Sequence, residues 1–307
     1  MQKYLAIDVG GTEIKYAVID SDRNFYQRGI EKTPYKRGLE GFLDTLTAIH
    51  DKNQENICGI SMSLPGIIDS EKGFCHWGGA LEYNISQPLK ELLEERCKTT
   101  VHMENDGKCA ALAEYWCGAL KGHTSGMVMI LGTGVGGGII INGQLFKGTH
   151  FSAGELSFLS TNAEKWEDLE SLASRKCGAV RMIQRVKAAE KIEDDSFDGR
   201  SAFELINSGA PEAVAVFRQY TRDIAIQLFN FQMFLDLDVI AIGGGISRQE
   251  ILVPSIQKSV DEIYETYPMK HPLYDYPKPN VKNCSFLSDS NLIGAVYNFM
   301  KMEEKNI

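Results

Sequence analysis

Asp8, Gly10, Gly11 and Thr12 stand close together between two apolar runs, Tyr4 to Ile7 and Ile14 to Ile19, with Lys15 close by in sequence. Two β-rich runs separated by glycines read as a β-hairpin. Glycines at such a turn let backbone N–H groups approach an anion, because no Cβ stands in the way. A carboxylate at its mouth offers hard oxygen to Mg²⁺. The chemistry this suggests is polyphosphate binding, with Asp8 toward the metal and Lys15 near the phosphates. The plain alternative is a tight hairpin with a solvated Asp8. Asp106 is a second candidate, in Glu104, Asn105, Asp106 just before an alanine-rich stretch. A carboxylate there can accept a hydroxyl proton as a phosphoryl group moves. Asn105 and Asp106 are equally the residue types that cap a helix.

Residues 125–145 repeat the first pattern: an apolar strand, then Gly132, Thr133 and Gly134 with Gly136 beyond, then a second apolar strand. No counterpart of Asp8 stands at this turn. Self-similarity inside a chain speaks to architecture. Two such hairpins facing each other across a cleft would grip one polyphosphate from both sides. The pair resembles the actin-like fold of sugar kinases and heat-shock ATPases. Residues 132–137, GTGVGG, also match the dinucleotide pattern letter for letter. That pattern requires a helix to follow, and here Ile139, Ile140 and Ile141 run into the turn pair Asn142, Gly143, as a strand does. No G-x-x-x-x-G-K-[ST] occurs.

The elements that must position these residues follow from periodicity. Residues 1–33 read as a meander of strands, and 38–49 carry apolar residues at helical spacing. A strand over 57–64 ends at Pro65, Gly66; residues 73–85 read as a loop, 88–97 as a helix and 100–103 as a short strand. Alanine-rich 107–116 reads as a helix. Gly118 to Gly126 is the expected crossover between domains and the hinge. Residues 148–158 read as a loop opening a helix near Glu155. Two long helical regions, 169–190 and 202–235, flank a polar connection over 194–200. A strand over 238–242 ends in Gly243, Gly244, Gly245, and a last helix over 291–301 packs back on the first domain. The expected lobes are therefore 1–118, completed by 291–307, and 119–290.

At 307 residues the chain is long enough for two domains. Its net charge of −9 disfavours a nucleic-acid partner. Seven scattered cysteines without a C-x-x-C pair suggest reduced thiols and a cytoplasmic home. Asp8 interrupts the first apolar run, which argues against a signal peptide, and the apolar stretch 126–141 is too short to span a bilayer. A homodimer is compatible with this composition.

AIDVGGTEIK, ENDGKCAALAE, LGTGVGGG, SAGE, LESLAS, IAIGGGIS and LIGA occur in the order in which they stand in the ROK family of bacterial sugar kinases and repressors. The chain resembles that family essentially from end to end. The resemblance implies a two-domain α/β fold of the actin-like/hexokinase class with a ligand cleft between the lobes. It implies ATP with Mg²⁺ as cofactors and Asp106 as the base. Asn105 and Glu155 would bind sugar hydroxyls, and Gly243 to Gly245 would pack against the adenosine. Ser61 to Ile67 and the loop Trp77, Gly78, Gly79 would shape the sugar pocket.

Departures from the family pattern matter as much. The family continues its glutamate as G-E-I-G-H, with a histidine that binds sugar and zinc, whereas Glu155 is followed by Leu156, Ser157, Phe158. Its cysteine cluster is replaced by TNAEKWED, residues 161–168. A structural zinc needs about four N or S ligands, so none is expected. The repressors carry a DNA-binding domain ahead of the phosphate hairpin, which here begins by residue 4. The resulting expectation is a hexose kinase acting on O6, with glucose and β-glucosides favoured because Phe158 leaves O1 untied and offers an aromatic face. N-acetylmannosamine kinase and a non-catalytic sugar sensor are the alternatives.

Overall fold

The computed structural model describes residues 1–286 and 288–305. Its contacts divide the chain into two compact units. The first comprises Met1–Gly118, Leu145–Ala153 and the chain from Ser288 onward; the second comprises Ala119–Gln144 and the chain from Gly154 up to that last segment.

The first unit is built on β1 (Lys3–Val9), β2 (Glu13–Asp20), β3 (Phe25–Lys32), α1 (Gly38–Asn53), β4 (Ile57–Leu64), β5 (Ile67–Asp69), β6 (Phe74–Trp77), α2 (Leu89–Cys97), β7 (Val101–Asn105) and α3 (Asp106–Cys117). Its main sheet has the order β3-β2-β1-β4-β7. The hairpin strands pair antiparallel, while β1, β4 and β7 run parallel. Successive side chains on a strand point to opposite faces, and that alternation sorts the residues. Leu5, Ile7, Ile60, Met62, Val101 and Met103 join the core with Phe42, Leu46 and Leu93 from α1 and α2. Tyr4 and Ala6 face the other way and pack on Leu292, Val296 and Phe299. Asp8 continues that second row, with Ser63 and then Glu104 opposite it in register.

The second unit repeats the plan with β8 (Gly126–Leu131), β9 (Val135–Ile141), β10 (Gln144–Leu145), α4 (Ala173–Lys176), α5 (Ala179–Ala189), α6 (Gly199–Ser208), α7 (Pro211–Leu235), β11 (Val239–Gly243), α8 (Leu252–Glu265) and β12 (Val281–Asn283). The sheet order is β10-β9-β8-β11-β12. Met127, Met129, Leu131, Ile240 and Ile242 form its core with Met182, Phe203, Tyr220, Ile224 and Ile256. The last helix, α9 (Ser290–Lys305), returns to the first unit and packs on β1, β4, β7 and α3. A Cβ on Gly294 would stand 1.7 Å from the Cys109 carbonyl oxygen, so only glycine lets α9 lie this close to α3.

Several expected elements differ. No helix opens at Glu155; a single 3₁₀ turn, Leu156–Phe158, takes its place. There Ser157 Oγ receives the Val135 N–H and donates to the Val135 carbonyl, which ties the segment to β9 instead of to a helical ladder. The helical stretch 169–190 is broken into a 3₁₀ turn, α4 and α5. The break is at Gly178, which lies against the Ser174 and Thr133 carbonyls where a Cβ would collide. The stretch 202–235 breaks at Gly209, a left-handed cap with φ 81°, and restarts at Pro211. Part of the expected loop 73–85 is β6, paired with β5, and α6 takes in Gly199 and Arg200 of the expected polar connection. Residues 145–153 were expected with 119–290 but group with the first unit, for a reason found in Lys147 and Lys108 below.

Candidate functional site

At the first hairpin, β1 ends one residue after Asp8 and the chain turns through Gly10 to Thr12. Gly10 N–H donates to the Glu13 carbonyl at 2.9 Å, Thr33 Oγ1 donates to the Gly10 carbonyl at 2.7 Å, and Thr33 N–H donates to the Thr12 carbonyl at 3.0 Å. Gly11 and Thr12 themselves are exposed. Asp8 pairs in register with Lys15 across the hairpin. Its Oδ1 accepts two bonds, from Ser63 Oγ at 2.9 Å and from Asn291 Nδ2 at 3.0 Å. Its Oδ2 accepts none from any described residue. Burial pushes the Asp8 carboxyl above its ordinary range, against those hydrogen bonds and the charge of Lys15. A carboxylate oxygen left unbonded beside a glycine turn fits a hard cation. Among the described residues no three His, Cys, Asp or Glu side chains gather as a metal cluster. A cation at Asp8 would therefore complete its shell with phosphate oxygens and water.

The Asn105–Asp106 turn decides which residue caps α3. Asn105 is the cap: its Oδ1 accepts the Lys108 N–H at 3.0 Å. Its Nδ2 donates to the Gly66 carbonyl at 2.9 Å and to Asp106 Oδ1 at 3.1 Å. Asn105 thus has both amide protons engaged, and its Oδ1 already accepts one bond. Asp106 is the first helical residue, its Oδ1 accepting the Gly107 N–H at 2.7 Å. Gly66 has φ 100° and lies against the Trp77 carbonyl, and Gly79 has φ 58° against Pro65. Both are left-handed positions that glycine adopts without strain. A methyl group on Gly11 would lie 3.6 Å from that of Ala80, so the Trp77–Gly79 loop ends beside the first hairpin turn.

Behind this turn, Lys147 and Lys108 hold residues 145–153. Lys147 Nζ lies 3.1 Å from Glu104 Oε2 and also donates to Ser70 Oγ. The fully buried Lys108 donates to the Phe151 carbonyl at 2.9 Å, and the Phe151 ring stacks on His76.

In the second unit the turn Gly132 to Gly134 closes through a Gly132 N–H bond to the Gly134 carbonyl at 3.0 Å. The Ala179 N–H at the start of α5 donates to the Gly132 carbonyl at 2.8 Å, so this hairpin is fastened to a helix the sequence alone did not connect to it. Thr133 is exposed, and Gly136 lies on β9. Gly244 has φ 99° and sits where a Cβ would meet the Leu131 carbonyl at 2.2 Å, at the base of the same hairpin. Gly243 is packed against Ile130 and Cys284, and Gly245 faces open space. Glu155 precedes the 3₁₀ turn and is half-buried, while Phe158 is 61% exposed.

Each unit therefore brings its own predicted residues together. The first holds Asp8, Gly10 to Thr12, Lys15, Gly79, Asn105 and Asp106. The second holds Gly132 to Gly136 with Gly243 to Gly245. Thr33 and Asn291 were missed as parts of the site, and Ser63 was read only as a lining of the sugar pocket. A polar Ser61 and Ser63 alternating with apolar residues in ISMSL was a usable signal; nothing local marked Asn291.

The profile of the ROK family matches residues 4–301. The beta-glucoside kinase of Klebsiella pneumoniae is 28% identical over 305 residues, covering 98% of this chain and 97% of that protein. A ROK family protein from Streptococcus pneumoniae, solved in complex with sucrose, superposes with a TM-score of 0.86 at 29% identity, over 99% of this chain and 100% of that one. A ROK family glucokinase from Streptomyces griseus, solved with glucose and AMPPNP, has a TM-score of 0.81 at 23% identity, over 95% and 97% of the two chains. The duplicated sheet order, the paired glycine hairpins and this end-to-end similarity make the chain a member of the ROK family, with the two-domain actin-like sugar kinase fold.

Proposed function

We propose that the protein is an ATP-dependent hexose kinase that phosphorylates O6 of glucose and of β-glucosides. The observation that carries this reading is the division of labour at the start of α3. Asn105 supplies the helix cap, so capping does not account for Asp106, the first helical residue, and its carboxylate is assigned as the base. Asp106 takes the proton of the sugar hydroxyl as its oxygen bonds to the γ-phosphorus. The bond from that phosphorus to the β,γ-bridging oxygen breaks, and ADP leaves with the electron pair. The N–H groups around Gly10 to Thr12 and Gly132 to Gly134 bind phosphate oxygens, with Lys15 adding charge. Gly243 to Gly245 let the adenosine approach the backbone. Glu155 and Asn105 orient the sugar. Mg²⁺ at Asp8, when bound, neutralises phosphate charge.

The β-glucoside preference is supported by Phe158, which is exposed and not packed as core, and by the similarity to a beta-glucoside kinase. An exposed aromatic face suits the apolar face of a second sugar ring. No disulfide links any of the seven cysteines, which suits a reducing, cytoplasmic setting. The test is kcat/KM for cellobiose, glucose and N-acetylmannosamine. Cellobiose is expected at or above glucose. Turnover of the acetamido sugar alone overturns the choice of substrate, and no turnover of any sugar overturns the kinase.

A further inference from the structure

Asp8 is held through one oxygen by residues from two distant parts of the chain. Ser63 is fully buried on β4, in register beside Asp8, and its hydroxyl donates to Oδ1. Asn291 is in the first turn of α9 and donates its amide to the same Oδ1. The Cβ–Cγ torsion of an aspartate is broad and soft, so an unpinned carboxylate would exchange its two oxygens freely. Two donors on Oδ1 remove that freedom, because rotation breaks both bonds together. The first turn of α9 is itself fixed. Arg28 forms a two-pronged ion pair with Asp289 at 3.2 Å, and Gly294 lies directly on the Cys109 carbonyl.

We propose that Ser63 and Asn291 are positioning residues that hold the Asp8 carboxylate with Oδ2 free for the metal of the nucleotide complex. This rests on the reading of Asp8 as the metal-facing group. It makes the C-terminal helix part of the phosphate site in function as well as in packing. Outer partners that orient a metal-ligating group commonly contribute on the order of 10–100-fold in metal affinity. The neutral donors also leave the negative charge of Asp8 undiminished for the cation.

The test measures Mn²⁺ binding by electron paramagnetic resonance, in the presence of ADP, to the full chain and to Ser63→Ala, Asn291→Leu, Ser63→Thr and Asp8→Asn. Metal-free ADP affinity and far-UV circular dichroism are followed alongside. Ser63→Ala and Asn291→Leu are expected to weaken Mn²⁺ binding about tenfold or more, with metal-free ADP affinity and the folded signal unchanged. Ser63→Thr, which keeps the hydroxyl, should bind as the parent does. If Asp8→Asn loses Mn²⁺ while Ser63→Ala and Asn291→Leu bind like the parent, the positioning role is wrong and the metal-facing reading stands. If Asp8→Asn binds Mn²⁺ like the parent, both fall.

Discussion

Lys147 Nζ lies 3.1 Å from Oε2 of a Glu104 that is 0% exposed, and Glu104 Oε1 accepts the Asn105 N–H at 2.9 Å. One carboxylate thus fastens the loop 145–153 to the strand end that carries Asn105 and Asp106. Removing one partner of a buried ion pair leaves an uncompensated charge. Lys147→Met is therefore expected to destabilise the protein by about 3 kcal/mol in urea unfolding. The double variant with Glu104→Gln should recover part of that loss. A loss below about 0.5 kcal/mol, the size of an ordinary surface change, would mean that Glu104 is satisfied without Lys147.

Asp106→Asn keeps an oxygen for the Gly107 N–H and Asn105 Nδ2 bonds while deleting the proposed base. Sugar and nucleotide affinities should hold, and kcat should fall on the order of 10²–10⁴-fold. Near-parental kcat with calorimetrically normal binding would show that another group takes the proton.

The metal-facing role proposed for Asp8 would be held at a cost in stability. Its folded-state pKa is raised, so the folded chain binds that proton more tightly than the unfolded chain does. Ionised Asp8 therefore disfavours folding at neutral pH, and the penalty fades as pH falls below the raised value toward the ordinary carboxylate range near 4. Asp8→Asn should raise Tm at pH 7, lose that advantage under acid, and turn over at least about a hundredfold more slowly. A lower Tm at pH 7 would contradict the sign.

His102 has the opposite sense of titration. Burial pulls its imidazole below the ordinary range, against Glu303, whose Oε1 lies 2.8 Å from Nε2, and Glu94; Lys90 adds to the downward pull. Its Nδ1 has no partner among the described residues. The unfolded chain therefore takes the proton first, and stability present above about pH 6.5 is lost as pH falls below it toward the depressed value. Urea midpoints measured from pH 7.5 to 5 should show this slope, and His102→Gln should flatten it. Equal slopes in the two proteins would assign the pH dependence elsewhere.

What the sequence determined by itself was what short-range physics encodes. The period-two alternation of Tyr4 to Asp8, the glycines at 10, 11, 132 and 134, and the triplet Gly243 to Gly245 are legible because strand pleat and left-handed or close-packed backbone restrict residue types locally. The repeated hairpin announced the duplicated sheet for the same reason. The ends of helices around Gly178 and Ser157 were misread, because the Ser157 hydroxyl bonds to β9 and the Ala179 N–H bonds to the Gly132 turn, pairings that no local pattern announces. Only the tertiary structure could decide between Asn105 and Asp106 as the cap, since both are chemically fit for it. It alone brought Asn291 to Asp8 and Lys147 to Glu104. Those pairs join residues far apart in the chain through side chains with no local periodicity, and their partners are chosen by how α9 and the loop 145–153 pack.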